Sequence, residues 1–560
     1  MFASLLLSCN AQVHVTTQVI SSDFFGFGVE WDPYDEALAW GCEVSDADWE
    51  ELYKRLDYMC PQYVRCMINS PYTYFDDGSY EPDRNIAGTV HLLDYCQSRG
   101  VTVIYGEYNP PAWEMKDSED WVRMSVDNLR RLVVDRGYSC IKHFVIFNEP
   151  DGNWASTDGD YALWQRMYLR FAEEMARYPG LSGVTLAGPD AVLNYKNPAS
   201  AYDCDGWISQ TALDLDILTG IYDIHAYPGR EYVYSGKFGG DVRRVAALVP
   251  EGKRLIFGEA GYKYDSPEDA ALKAEYLRRV EGHPFTKGSD CNMLVYDYFY
   301  SLDMPVFLME AVNNGASGAA AWMLDDAMHS SGDSGKTEDV KIWGMWNILG
   351  SEVFGDPSEE GIRPWYYTWS LMCRYFPRGC DVVRVDGPLP GGVFAAACRT
   401  AGGGLTLALV NSSEKAVEIV PSLGDVTLRE VSGETGVGFC ESFGETGSTL
   451  PHEGLDKVES ALPICSSREG LDEVWLSRSS DASCNVLGEN GATPVGDPDG
   501  RTGYPPSHPC SLGETGATLV DDTFRLHLFC EGFTEVAISK WDGGALKLPA
   551  SSFLLLTNMD

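Results

Sequence analysis

Glu149 closes one apolar run, Phe144-Val145-Ile146-Phe147-Asn148-Glu149-Pro150, and Glu259 closes another, Leu255-Ile256-Phe257-Gly258-Glu259-Ala260-Gly261. A charge is not normally set at the end of a core strand unless it has a task there. Periodicity alone does not separate such short apolar runs from buried helix. Pro150 favours the strand, because the residue before a proline is pushed towards extended geometry. The first run is therefore read as a buried strand that delivers Glu149 to its C-terminal tip. Two carboxyl groups facing each other across a gap suit the cleavage of a glycosidic bond. One protonates the leaving oxygen, and the other attacks the anomeric carbon or activates water.

The elements that must position this pair are legible as a repeat. Phe24 to Glu30, Tyr63 to Ile68, Val101 to Tyr105, the Asn-Glu-Pro run, Val184 to Ala187, Ile221 to His225, Arg254 to Gly258 and Ser317 to Met323 read as strands. Helices stand between them. Ser45 with Asp48 three residues on opens one, and Gly100 ends the next. Ser266-Pro267-Glu268-Asp269 opens a long helical stretch that runs to Val312. Eight strand–helix units between Phe24 and about Phe376 predict a closed (β/α)8 TIM barrel, with Glu149 ending the fourth strand and Glu259 the seventh. Chemistry in such a barrel sits at the C-terminal strand ends. Beyond residue 376 the chain turns to short alternating runs, which predict an accessory antiparallel β-sandwich over 377–560. A loop-rich insertion fills about 430–515, and residues 1–20 supply a strand that joins the sandwich. The barrel then spans 21–376.

Composition excludes several classes. The 560 residues carry a formal net charge of -41, against nucleic acid and against anionic membranes as partners. No segment is long and apolar enough to span a membrane. The 16 cysteines are scattered, without Cys-x-x-Cys or a zinc-like Cys/His cluster, and several lie in apolar runs. That usage favours a reducing, cytoplasmic setting. The alternative is an exported lipoprotein, if Leu6-Leu7-Ser8-Cys9 is the cleavage box of a truncated signal. Neither a metal nor an organic cofactor is expected, and a homo-oligomer is compatible with the composition.

At five separate places the chain resembles the clan A glycoside hydrolases, retaining enzymes whose acid/base and nucleophile sit on strands four and seven. Asn148-Glu149-Pro150 resembles the acid/base motif, and Glu259 in Phe-Gly-Glu-Ala-Gly the nucleophile. Arg65 in Tyr-Val-Arg-Cys resembles the arginine near that nucleophile. Asp223-Ile224-His225-Ala226-Tyr227 resembles the sixth-strand His-x-Tyr, and Trp322 the eighth-strand tryptophan under the sugar. Barrel plus sandwich looks most like families 30, 39 and 51, although the stretches between motifs depart from all three. The resemblance implies a glycoside or oligosaccharide substrate and double displacement. Arg65 would then hold the nucleophile ionised. Tyr227 would donate a hydrogen bond to Glu259, and Asn148 would meet a sugar 2-hydroxyl. Glu149 would need an apolar or anionic setting that keeps it protonated. Trp31, Trp113 and Trp154 follow the first, third and fourth strands as candidate sugar platforms.

Each residue also has a structural reading: an ion pair for Arg65, a satisfied core histidine for His225, plain core for Trp322 and the other tryptophans. Glu30 and Glu107 also end strands and are rival carboxylates. Metal-dependent hydrolysis would need histidines on several strand ends, yet of nine only His225 is so placed. The reading from another class is a non-catalytic carbohydrate-binding protein that keeps the cleft.

Overall fold

The computed structural model describes residues 11–68, 79–283, 291–330, 336–337, 339–423 and 520–559. Strands β1 (Ala11–Ser21), β2 (Gly26–Glu30), β3 (Tyr63–Ile68), β4 (Thr102–Glu107), β5 (Ile141–Val145), β6 (Thr185–Val192), β7 (Thr219–Ala226), β8 (Leu255–Ala260) and β9 (Gly318–Ala321) come first. After the last barrel helix, Trp365–Tyr375, follow β10 (Asp381–Asp386), β11 (Val393–Arg399), β12 (Leu405–Asn411), β13 (Val417–Ser422), β14 (Val520–Cys530), β15 (Ala537–Lys540), β16 (Leu546–Leu548) and β17 (Ser552–Met559).

Strands β2 to β9 close a parallel barrel in sequence order. Parallel strands covered on both faces are apolar throughout rather than alternating, and β2, β3, β4, β8 and β9 are buried at every position. The ring closes where β2 pairs with β9, Gly26 to Gly318 and Val29 to Ala321. Small residues are needed at that seam: a Cβ on Gly318 would stand 2.5 Å from the Gly26 carbonyl oxygen.

Helix boundaries follow the local signals. Ser45 and Asp48 form a reciprocal capping box at the start of Asp46–Met59, and Gly100 ends Ile86–Arg99 in the left-handed region. The stretch from Ser266 to Val312 departs from the reading as one long helix. It holds a 3₁₀ turn at Pro267–Asp269, a helix at Ala270–Gly282 and another at Tyr300–Asn313.

The remaining strands form one nine-stranded sheet, β15-β14-β17-β12-β11-β10-β1-β13-β16, antiparallel except where β1 meets β13. It curls on itself rather than dividing into two separate sheets: Leu528 near one edge and Leu546 at the other share one apolar cluster with Val13, Leu407, Leu409 and Leu556. The alternate residues, Ala408, Val410, Phe553 and Leu555, belong to the barrel's core cluster. The period of two thus gives the sheet one face for its own core and one for the barrel. Asn313 at the end of the Tyr300–Asn313 helix donates to the Ala395 carbonyl at 2.8 Å, and Tyr298 to that of Ser551 at 2.9 Å. The insertion read at 430–515 and the Leu6–Cys9 segment lie outside the described residues. Nine of the described cysteines are buried, and Cys60 is disulfide-bonded. No described helix is long and apolar enough to cross a membrane.

Strand spacing makes a direct test. A Cβ on Gly28 would stand 2.2 Å from the Tyr63 carbonyl oxygen in the neighbouring strand. Gly28→Ala is expected to cost about 2–4 kcal/mol in urea unfolding, because backbone must move to admit it. Gly240→Ala, on an exposed helix position with nothing within 4 Å, is expected to gain about 0.5–1 kcal/mol.

Candidate active site

The C-terminal ends of the barrel strands converge on one guanidinium. Arg65, in β3, is fully buried. Its Nη1 donates to both oxygens of Glu30, at 2.9 and 2.7 Å, and to Oε1 of Glu259 at 2.9 Å. Its Nη2 donates to Asn148 Oδ1 at 2.7 Å and to Asp190 Oδ2 at 3.1 Å. Strand register supplies this: Glu30 is paired with Arg65 across β2 and β3, and His225 with Glu259 across β7 and β8.

Two bulges aim the remaining groups. The β6–β7 register skips Asp190, and the β7–β8 register skips Gly258. An extra residue in one strand re-aims its neighbours. Gly258 is required there, because a Cβ would stand 2.4 Å from Asp223 Oδ1, which instead accepts the Gly258 N–H at 2.6 Å. Asp190, at φ 63°, points its carboxylate at Arg65 and at His225 Nε2, 3.1 Å away.

Glu149 departs from the strand-tip reading. Strand β5 ends at Val145, and Glu149 takes φ 45° rather than the extended geometry expected before proline. Such a conformation in a non-glycine residue persists only when its surroundings hold it. Here its N–H donates to Asp190 Oδ2 at 3.3 Å, and its carbonyl accepts from Gly152 at 2.9 Å. The Glu149 side chain meets His225 Nδ1 at 2.9 Å and accepts from Trp154 Nε1 at 2.6 Å. Gly152 makes room for that indole: a Cβ there would stand 2.4 Å from it. Tyr227 donates a short hydrogen bond to Glu259 Oε2. One oxygen each of Glu149 and Glu259 and one nitrogen of His225 lie within 4.8 Å of one another.

The electrostatics overturn one expectation. Glu149 is neither in an apolar nor in a purely anionic setting. Burial pushes its carboxyl up, but the His225 hydrogen bond and charge, with Lys263 and Trp154, hold it below its ordinary value. Burial opposes the charge on His225 too, yet Glu259, Asp190 and Glu149 raise it well above that of a free imidazole. Asp190 is held down at about 2: burial raises it, and His225 and Arg65 outweigh that. Asp223 is pushed up to about 8 by burial and Asp190, and Asp151 to about 8 by burial and Glu149. Glu30 is raised by burial despite Arg65.

Asn148, His225 and Tyr227 therefore join Glu149 and Glu259 around Arg65. Trp154 is 45% exposed beside Glu149. Trp322 follows β9, its ring stacked on His329 at 5.4 Å, and is 5% exposed. Trp113 is 54% exposed on a 3₁₀ turn after β4. Trp31 does not face the site: it is fully buried, edge-on to Tyr95. Glu107 turns outward, accepting from Trp121 Nε1 at 2.5 Å and from Ser125 on the Glu119–Arg130 helix. Glu30 is committed to Arg65 and Tyr108.

Sequence reasoning missed Asp190, because Gly188-Pro189 looked like the end of a strand that in fact runs on to Val192. A carboxylate directly after that dipeptide was the available signal. It also missed a cluster in which Asp32 accepts from Met67 N–H at 2.6 Å and Tyr108 at 2.9 Å and meets His329 Nε2 at 2.6 Å. Burial pulls the His329 imidazole down, but Asp32 and Glu36 hold it up at about 10.

Arg65→Met is expected to cost about 3–5 kcal/mol in urea unfolding, since it strands buried carboxylates without their cation; adding Glu30→Gln should return part of the loss. A second test follows from Asp223, whose native pKa lies above that of an unfolded aspartate. The folded chain then holds the extra proton between about pH 4 and pH 8, so stability falls as pH rises through that window. The wild-type melting temperature should fall from pH 5 to about pH 8, and Asp223→Asn should flatten that fall.

No protein-family model and no curated protein matches the sequence. Solved structures do match in fold. The catalytic domain of GH30 xylanase C from Talaromyces cellulolyticus is 11% identical with a TM-score of 0.53, over 98% of this chain and 100% of that one. A conserved exported protein from Bacteroides fragilis is 11% identical with a TM-score of 0.57, over the same shares. The GH39 enzyme from Xanthomonas axonopodis pv. citri is 10% identical with a TM-score of 0.50, over 100% and 98%. At such identities the likeness establishes the fold: a (β/α)8 barrel with an attached β-sheet, as in these family 30 and family 39 enzymes.

Proposed function

We propose that the chain is a retaining glycoside hydrolase in which Glu259 is the nucleophile and Glu149 the general acid/base. The observation that carries this reading is the spacing of the pair. Their nearest oxygens lie within 4.8 Å, in keeping with the roughly 5–5.5 Å of retaining pairs and short of the roughly 6.5–9.5 Å that leaves room for a water.

The surroundings suit the two roles. Glu259 is gripped by Arg65 on Oε1 and Tyr227 on Oε2, which fixes its aim for attack at the anomeric carbon. As the C–O bond to the leaving group breaks and the Glu259–carbon bond forms, Glu149 protonates the departing oxygen. Water then adds to the same carbon, Glu149 takes its proton, and Glu259 is released. Asn148 accepts from Arg65 through its amide oxygen, and its amide N–H groups are the donors that would meet a sugar hydroxyl. Trp154, exposed and bonded to Glu149, stands on the leaving-group side as an apolar platform. Glycosidases among the structural neighbours, xylanases included, support a carbohydrate substrate and place xylo-oligosaccharides in the first panel.

A panel of aryl glycosides and oligosaccharides tests this. Glu259→Ala should abolish turnover. Glu149→Ala should lose about 10²–10⁴-fold on substrates with poor leaving groups, and far less on a 2,4-dinitrophenyl glycoside, with azide restoring turnover. Proton NMR of the first product should show retained anomeric configuration. Full activity in Glu259→Ala, or an inverted product, would falsify the assignment. Oligosaccharide binding without any cleavage would favour the non-catalytic carbohydrate-binding protein.

A further inference from the structure

Glu149 has no apolar pocket to keep it protonated, so its proton must be held elsewhere. His225 is the group in contact with it, and both ring nitrogens of His225 face carboxylates: Nδ1 meets Glu149 Oε1 at 2.9 Å and Nε2 meets Asp190 Oδ1 at 3.1 Å. Two carboxylates on one imidazole are satisfied in two ways. Either the ring carries both protons and Glu149 is ionised, or Glu149 carries the proton and donates it to Nδ1. In both states Nε2–H stays on Asp190. The two states differ only in the position of one proton along a hydrogen bond.

Building on the glycosidase reading above, we propose that Asp190 and His225 form the proton reservoir of Glu149, with Asp190 the positioning residue that keeps the imidazole charged and turned towards it. In the first half-reaction the proton leaves Nδ1 for Glu149, and Glu149 passes it to the departing oxygen as the C–O bond breaks. His225 is then neutral and Glu149 a carboxylate, the form a general base needs. In the second half-reaction Glu149 takes a proton from the attacking water and returns it to Nδ1. No proton is gained or lost over the cycle beyond those of the water.

The site is built for this. Asp190 is 1% exposed and occupies the bulge of β6, and the same carboxylate also accepts the Glu149 N–H, so one side chain sets both partners of the transfer. The groups facing His225 are Glu149 after β5, Asp190 from β6, Asp223 on its own strand and Glu259 from β8, whose Oε2 is 3.5 Å from Nδ1. Arg65 reaches it through Asp190, and Lys263 acts on Glu149. Esterification of Glu259 removes one of the negative charges that hold the ring's proton, so release is favoured as the intermediate forms. The directions found for His225 and Glu149, upward and downward, agree with the proton resting on the ring.

Asp190→Asn keeps the shape and removes the charge. On a glycoside with a poor leaving group its kcat/KM should fall about 10–100-fold, and on the 2,4-dinitrophenyl glycoside less than about 3-fold. The basic limb of its pH profile should move to lower pH. An equal loss on both glycosides, or an unmoved basic limb, would overturn the proposal. Should Asp190→Asn fail to fold, ¹⁵N NMR of histidine-labelled protein decides, with His225→Gln as the assignment control. Both ring nitrogens of His225 should be protonated near pH 6 in the wild type and lose a proton at lower pH in Glu149→Gln. A ring that is neutral from about pH 5 upward in both proteins would overturn it. The NMR needs no turnover. If the wild type cleaves no glycoside, the glycosidase reading fails, and the ring's protonation is still read.

Discussion

One buried guanidinium governs the top of this barrel. Removing an arginine from water is expensive unless its donors are met, and Arg65 is met by Glu30, Asn148, Asp190 and Glu259. These four come from β2, the loop after β5, β6 and β8. A planar fork has fixed directions, so it ties the heights and rotations of those strand ends to one another. The short distance between Glu149 and Glu259 is a consequence: Glu259 is bound to Arg65 directly, and Glu149 through Asp190 and its neighbour Asn148.

The same crowding of carboxylates decides where protons sit. Arg65 and His225 bring positive charge into contact with this cluster, against Glu30, Glu149, Asp190, Asp223 and Glu259. Glu149, held by His225, and Asp190, held by His225 and Arg65, are pulled down, whereas burial raises Glu30 despite its contact with Arg65. Asp223, whose Oδ2 has no hydrogen-bond partner among the described residues and whose Oδ1 holds a backbone N–H, is pushed up by burial. Burial and partner choice thus part acids of one kind into different protonation states.

The barrel was largely legible because its strands are covered on both faces and are therefore apolar runs between helix caps. Ser45 and Gly100 mark helix ends by local hydrogen bonding and backbone freedom, and neither needs the rest of the molecule. Where a strand carried a breaker the reading failed: β6 was ended at Ala187, and Asp190 was lost with it. The three-residue β16 is too short for any period to show. That one continuous sheet curls round to enclose its own apolar core was equally hidden, because alternation reports that a face is buried, not what buries it.

What the sequence determined by itself was the number and order of the barrel strands, with Arg65, His225 and Glu259 on β3, β7 and β8. These rest on interactions within a few residues. Register, bulges and left-handed turns were decided by the tertiary structure alone, because each depends on a neighbour distant in the chain. Trp31 and Trp154 show the difference. Both follow strands and looked alike, yet packing buries Trp31 against Tyr95 while Gly152 lets Trp154 lie on Glu149. Only the folded chain brings His225 between Glu149 and Asp190.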